Sequence, residues 1–208
     1  MNTSKFKSLL FFASVVALFT GCTKDDDFVV QDFTPISFAE DFSAGAIDNT
    51  ILDTPNWENI NEIGSAKWTE QIYSGNAYAE FSGYQSGDAI NVGWLVSPAI
   101  NMDLHEGEKL QFLSSQSYVT SGANSLEVLI STDYAGDVAT ATWTNIDANL
   151  PLTTSTYFEF LPSGEIDLSG YTGTVYLAFK VKGSGTNAAL DGGYQIDNIR
   201  ITYKKEEN

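Results

Sequence analysis

From Pro35 to the C-terminus, apolar and polar side chains alternate in runs of six to ten residues separated by Gly, Asn, Asp and Ser clusters. Alternation with period two places successive side chains on opposite faces of an extended chain, so it builds strands buried on one side. The clearest runs are 36–42 (ISFAEDF), 76–81 (NAYAEF), 92–100 (VGWLVSPAI), 109–118 (KLQFLSSQSY), 125–132 (SLEVLIST), 157–162 (YFEFLP), 174–182 (TVYLAFKVK) and 194–203 (YQIDNIRITY), with weaker ones at 66–73 and 141–146. No amphipathic helical period and no internal repeat interrupts them. Eight to ten such strands predict an all-β fold, a jelly-roll β-sandwich of two antiparallel sheets of the galactose-binding-like or concanavalin-like kind, over residues 35–204. A chain that is 43% hydrophobic with 13 Phe, 10 Tyr and 4 Trp has the material for one sizeable core.

The first 34 residues follow other rules. Lys5 and Lys7 precede an apolar run from Leu9 to Phe19, closed by Thr20 and Gly21. That run is too short to span a bilayer, which takes about 20 residues, and reads as a signal peptide over 1–21. Cys22 is the one cysteine of the chain, so no disulfide can form within it. A cysteine directly after Gly21 resembles a bacterial lipobox, with Phe19 where Leu is usual. The resemblance implies cleavage before Cys22 and a lipid on its thiol. The acidic run Asp25–Asp27 that follows resembles the lipoprotein export signal of Bacteroidetes and, as a solvated acidic stretch, also serves as a tether over 22–34. The expectation is an outer-membrane, surface-facing lipoprotein. Losing residues 1–21, which hold two lysines and no acid, takes the formal charge from −17 to −19. Such a field repels nucleic acid and suits cations, neutral glycans or basic protein surfaces.

The segments ISFAEDFSAG, WLVSPAINM, LEVLISTDYAGDVATATWTNI, GEIDLSGYTGTVYLAFKVKG and YQIDNIRI, in that order, together resemble the choice-of-anchor J domain of Bacteroidetes surface proteins. That domain is similar to the cleaved-adhesin domains of gingipain-type proteases and, more remotely, to MAM domains. The resemblance spans Ile36 to Tyr203 and implies a non-catalytic jelly-roll binding or adhesion module, often with a structural calcium. It implies no particular ligand.

Two carboxylates stand out on strand parity. Glu40 falls on the side of Ile36, Phe38 and Phe42, and Asp197 on the side of Ile199, Ile201 and Tyr203. If the first and last strands pair antiparallel with Phe38 against Ile199, then Glu40 opposes Asp197 near the core. A shared proton, a cationic side chain or a metal would reconcile them, as would hydrogen bonds at a strand mouth. Calcium takes six to eight oxygen ligands, and Asp41, Asp191, Asn198 and loop carbonyls are further candidates for it.

Little points to catalysis. His105 sits in a polar turn, Cys22 is assigned to lipid, and neither a G-x-S-x-G elbow nor a phosphate-binding glycine loop occurs. Two placed carboxylates would suffice for a glycoside hydrolase, which remains the lesser alternative beside an accessory scaffold subunit of a glycan-uptake complex. Trp94 and Trp143 read as sheet-packing residues and Trp57 as a seal at one end. Trp68, Tyr84 and Tyr134 have polar neighbours and are the expected ligand-binding aromatics, for a glycan or a surface protein.

Overall fold

The structure, a computed structural model, describes residues 33–205. Cys22, the export signal and the tether up to residue 32 lie outside the described residues. The fold is all-β, with no helix among the described residues. In chain order the strands are β1 (Ile36–Glu40), β2 (Thr50–Ile51), β3 (Glu58–Ile63), β4 (Thr69–Tyr73), β5 (Asn76–Ser82), β6 (Asn91–Val96), β7 (Ile100–Asn101), β8 (Lys109–Ser117), β9 (Ser125–Ser131), β10 (Thr144–Asn145), β11 (Leu161–Pro162), β12 (Ile166–Asp167), β13 (Thr174–Gly183) and β14 (Gly193–Thr202).

They form two antiparallel sheets. An eight-stranded sheet runs β11-β8-β14-β5-β4-β2, with β1 added to β14 and β12 to β8. A six-stranded sheet runs β10-β9-β13-β6-β3, with β7 on β13. This is the jelly-roll sandwich that the alternation predicts, and the chain skips between sheets as Greek-key wiring requires.

The inner faces meet in one core that includes Trp68, Phe81, Leu95, Phe112, Phe179 and Ile196. Each of these removes an apolar side chain from water for roughly 1.5–3 kcal/mol. Gly93 shows how closely the sheets approach: a Cβ there would collide with the Phe81 ring of the opposite sheet, so any larger residue would part them.

β1 and β14 do pair antiparallel, but not in the expected register. Phe38 stands opposite Ile201 and Glu40 opposite Ile199, with a shift between Ile36 and Phe38. β14 also carries a bulge between Asp197 and Arg200, where Asn198 adopts a left-handed backbone at φ 50°. Asn tolerates that conformation better than most residues. The bulge reverses the parity of the strand: Tyr194 and Ile196 before it, and Ile199 and Ile201 after it, all reach the same core. Asp197 therefore sides with Gln195 on the outer face, and the two carboxylates do not oppose each other.

Candidate functional site

The outer faces of the two sheets differ in chemistry, and the register identifies the residues on each. On the eight-stranded sheet, β5 presents Asn76, Tyr78, Glu80 and Ser82 outward, because Ala77, Ala79 and Phe81 face the core. β8 likewise presents Leu113, Ser115 and Ser117, and β14 between them presents Gly193, Gln195 and Asp197. Three rows result: Asp197–Leu113, with Tyr78 next along β5 from Glu80, then Glu80–Gln195–Ser115 and Ser82–Gly193–Ser117.

The middle row is a connected polar network. Ser115 Oγ donates to Gln195 Oε1 at 2.6 Å, while Gln195 Nε2 donates to Glu80 Oε2 at 2.7 Å and to Ser117 Oγ at 3.0 Å. Gln195, Ser115 and Ser117 are buried, and satisfaction of this kind is what makes such burial tolerable. Burial holds the Glu80 carboxyl above its ordinary range, and the Gln195 amide partly offsets it. The Tyr78 hydroxyl is raised as well, first by burial and then by the Glu80 and Asp48 charges.

In the first row, Asp197 is 2% exposed. Asn76 Nδ2 donates to its Oδ2 at 2.9 Å and the Asn198 amide to its Oδ1 at 2.6 Å. Phe160 precedes β11, three strands away from Tyr78, yet their rings approach edge-on at 5.5 Å. To meet, the two rings must lean over β14 and β8, across the part of the face where Ser115, Gln195 and Asp197 are buried. Burial raises the Asp197 carboxyl above its ordinary range, against the hydrogen bonds from Asn76 and Asn198.

The third row is the low one, with Ser82 half-buried and Gly193 and Ser117 buried. Gly193 lacks the side chain that would rise between Ser82 and Ser117: a Cβ there would stand 3.1 Å from Ser117 Oγ and 3.3 Å from Ser82 Cβ. The result is a row of small residues, the floor of this face, beside the taller Glu80 and Gln195. Tyr84 follows β5 at one side of it and Tyr118 follows β8 at the other, each 62% exposed. Tyr118 packs on Tyr157 at 4.8 Å and on Phe158 at 6.2 Å, and both partners are also exposed. Tyr118 and Phe158 hold left-handed backbones, at φ 56° and 60°. That conformation costs a bulky residue roughly 1–2 kcal/mol.

Of the sequence-predicted aromatics, only Tyr84 lies here. Trp68 is 0% exposed, with its ring 5.7 Å from Phe81 in the main core. Its backbone is held by Asn59, which accepts from the Trp68 amide and donates to its carbonyl. Tyr134 is 5% exposed, carried on the loop that covers the six-stranded sheet, where its hydroxyl donates to Glu58 Oε2 at 2.9 Å. Burial and that carboxylate push the hydroxyl well above its ordinary value. Both aromatics hold the fold together and neither is available to a ligand. Trp57 packs against Phe38 and Phe42 as a seal, and the His105 ring stacks on Tyr203 at 3.6 Å.

Of the carboxylates proposed for calcium, Glu40, Asp41 and Asp197 are engaged with other donors. Glu40 accepts from the Phe42 amide and from Trp57 Nε1. Asp41 accepts from the Ser43 hydroxyl and amide, which lower its pKa. Asp191 receives Ser82 Oγ on its backbone carbonyl, and Asp197 is buried. No group of three or more His, Cys, Asp or Glu side chains suited to a metal ion occurs among the described residues. These residues do not fit a six- to eight-oxygen calcium shell.

Sequence reading missed Tyr118, Tyr157, Phe158, Glu80, Gln195 and Gly193. The signals were present in the small polar run SSQSY at 114–118 and the aromatic run YFEF at 157–160. The latter is not strand, since β11 begins only at Leu161, so its aromatics do not alternate between faces as a strand's would.

A family model described as "Domain of unknown function (DUF5017)" matches residues 100–207, just over half of the chain, and the chain belongs to that family. No curated protein sequence matches it. Among solved structures, it is similar to three cleaved adhesin domains of Lys-gingipain. The K1 domain, from Porphyromonas gingivalis W83, is 19% identical with a TM-score of 0.51, over 81% of this chain and 98% of that one. The K2 domain is 13% identical with a TM-score of 0.52, over 80% and 98%. The K3 domain, from the same strain as K1, is 17% identical with a TM-score of 0.50, over 81% and 99%. At such identities the likeness establishes the shared fold.

Proposed function

We propose that this member of the DUF5017 family is a non-catalytic binding module that holds carbohydrate on the outer face of its eight-stranded sheet. One observation carries the reading: exposed Tyr118, Tyr157 and Phe158, two of them in costly left-handed backbones, border a buried and fully connected polar floor. Flat apolar rings beside fixed polar groups suit a sugar, whose ring faces are apolar and whose rim is hydroxylated. The adhesin use of the same fold in Lys-gingipain and the resemblance to choice-of-anchor J domains support a binding role.

Glu80 and Asp197 share this face, but Asp197 is buried and has its own donors. A hydrolytic pair needs both carboxylates at the substrate, so binding is the better reading. We further read Cys22 and the Asp25–Asp27 run as a lipid anchor that displays the module at the outer membrane of a bacterium. Structural calcium is no part of this reading.

Titration of the protein with a glycan panel, followed by tyrosine and tryptophan fluorescence and calorimetry, tests the site. Binding to at least one glycan is expected, lost in Phe158→Ala and Tyr118→Ala; silence across the panel overturns the carbohydrate reading and turns the search to protein partners. Palmitate labelling with protease shaving of intact cells tests the anchor, and Cys22→Ser should remove both the label and the surface pool.

A further inference from the structure

On the reading of the outer face as a carbohydrate site, we infer that Glu80 is its specificity-determining residue, taking hydroxyls of an uncharged saccharide and turning away acidic ones. The hydrogen-bonding capacity of the floor is largely spent within it. Both Gln195 amide hydrogens go to neighbours, Glu80 Oε2 and Ser117 Oγ, and Gln195 Oε1 receives Ser115. Ser82 Oγ donates to the Asp191 carbonyl and accepts from the Tyr84 amide.

What stays open is the second carboxylate oxygen of Glu80, since no donor among the described residues meets its Oε1. Glu80 is only half-buried, stands in the row next to Gly193 and is pinned by Gln195. A fixed acceptor beside this floor receives donors, and hydroxyls are the donors a neutral sugar offers. No lysine or arginine stands in the Glu80–Gln195–Ser115 or Ser82–Gly193–Ser117 row. A uronate or sulfate group would therefore meet a carboxylate with no counter-charge, in a chain of net charge −17. Specificity of this kind combines an attraction with a built-in repulsion.

The test uses the full chain and two probe sets: a neutral pool of cello-, xylo- and galacto-oligosaccharides, and oligogalacturonates. The wild type should bind a neutral member and reject oligogalacturonate, with the rejection relaxing as salt rises. Glu80→Gln, which keeps the shape and the Gln195 contact on one side, should weaken neutral binding roughly tenfold, the effect of losing a charged acceptor. It should also admit oligogalacturonate. An unfolding midpoint for Glu80→Gln at or above that of the wild type shows that the change acts on binding. Neutral binding that survives Glu80→Gln unchanged, or oligogalacturonate binding to the wild type as tightly as neutral sugars, overturns the inference and leaves the site standing. If no saccharide binds the wild type, the site reading falls and the inference falls with it.

Discussion

The two outer faces of this sandwich put similar aromatic residues to opposite uses. On the six-stranded sheet, the 132–143 segment folds down over Val92, Trp94, Val96, Leu129 and Ala178, and brings Tyr134, Val138 and Trp143 with it as a second apolar core. Trp94 packs on Trp143 at 5.2 Å, its indole nitrogen donates to Glu62, and Lys180 lies 4.5 Å above its ring. On the eight-stranded sheet the middle of the face is polar and internally bonded, and the aromatics at its rim stay in water. Covered aromatics supply stability, whereas uncovered ones beside satisfied polar groups supply a surface. A tyrosine's role here is set by what folds over it and not by its neighbours in sequence: SGYQSGD at 82–88 and TDYAGD at 132–137 look alike, yet Tyr84 is exposed and Tyr134 buried.

Truncation should separate the two faces most sharply on the six-stranded side. Trp94→Ala should cost about 3–5 kcal/mol, through lost burial and the cavity left under Trp143. For a domain of this size that lowers the thermal midpoint by about 10 °C, while affinity for whatever binds the other face stays unchanged. A binding defect equal to that of Phe158→Ala would erase the distinction.

On the eight-stranded side the expected pattern is inverted. Phe158→Gly relieves about 1–2 kcal/mol of left-handed strain and adds unfolded-state freedom worth about 0.5–1 kcal/mol, so stability should stay within about 1 kcal/mol of the wild type. Binding should be lost, by calorimetry. A large stability loss instead would mark Phe158 as structural.

The faces should also titrate in opposite senses. Glu80 and Asp197 have raised values in the folded state, so the folded form binds more protons, and their contribution to stability falls as pH rises from the ordinary carboxylate range through the raised values. Asp133, in the covering segment, is held low by the Ser131 and Thr142 hydroxyls, and its contribution is lost as pH falls through that lowered value. Glu80→Gln should flatten the first dependence and raise the midpoint at pH 7; Asp133→Asn should flatten the second. Unfolding curves across pH 3–8 check both signs.

The smallest expected effect is that of calcium. With Glu40 opposite Ile199, and with Glu40 and Asp197 each supplied with donors of their own, calcium and chelator should give the same midpoint to within about 1 °C. A clear rise in calcium would mean that Glu40 and Asp197 rearrange around an ion.

Most of the strand plan was readable because alternation is local: core residues such as Phe81, Phe112 and Phe179 lie on the faces their period assigns. β3 escaped notice because ENINEI, at the edge of its sheet, is polar at most positions. The error over Asp197 has a single cause, the extra residue at Asn198, since parity holds only along an uninterrupted ladder. The candidate site was less legible than the fold. Its rows bring together residues from β5, β8 and β14, far apart in sequence, and nothing local in Glu80 or Gln195 announces that they meet. Trp68 and Tyr134 were misplaced for the same reason: polar neighbours in sequence say nothing of the sheet that closes over them.

The pairing of β1 with β14 also has a mechanical consequence. The chain enters β1 at Ile36, opposite Thr202, whereas the polar floor begins at Gly193, about 30 Å away along the same ten-residue strand. A pull between a ligand at the floor and the chain ahead of β1 would run parallel to these strands. It would load the β1–β14 hydrogen bonds together in shear, where no single pair can be peeled away before the rest.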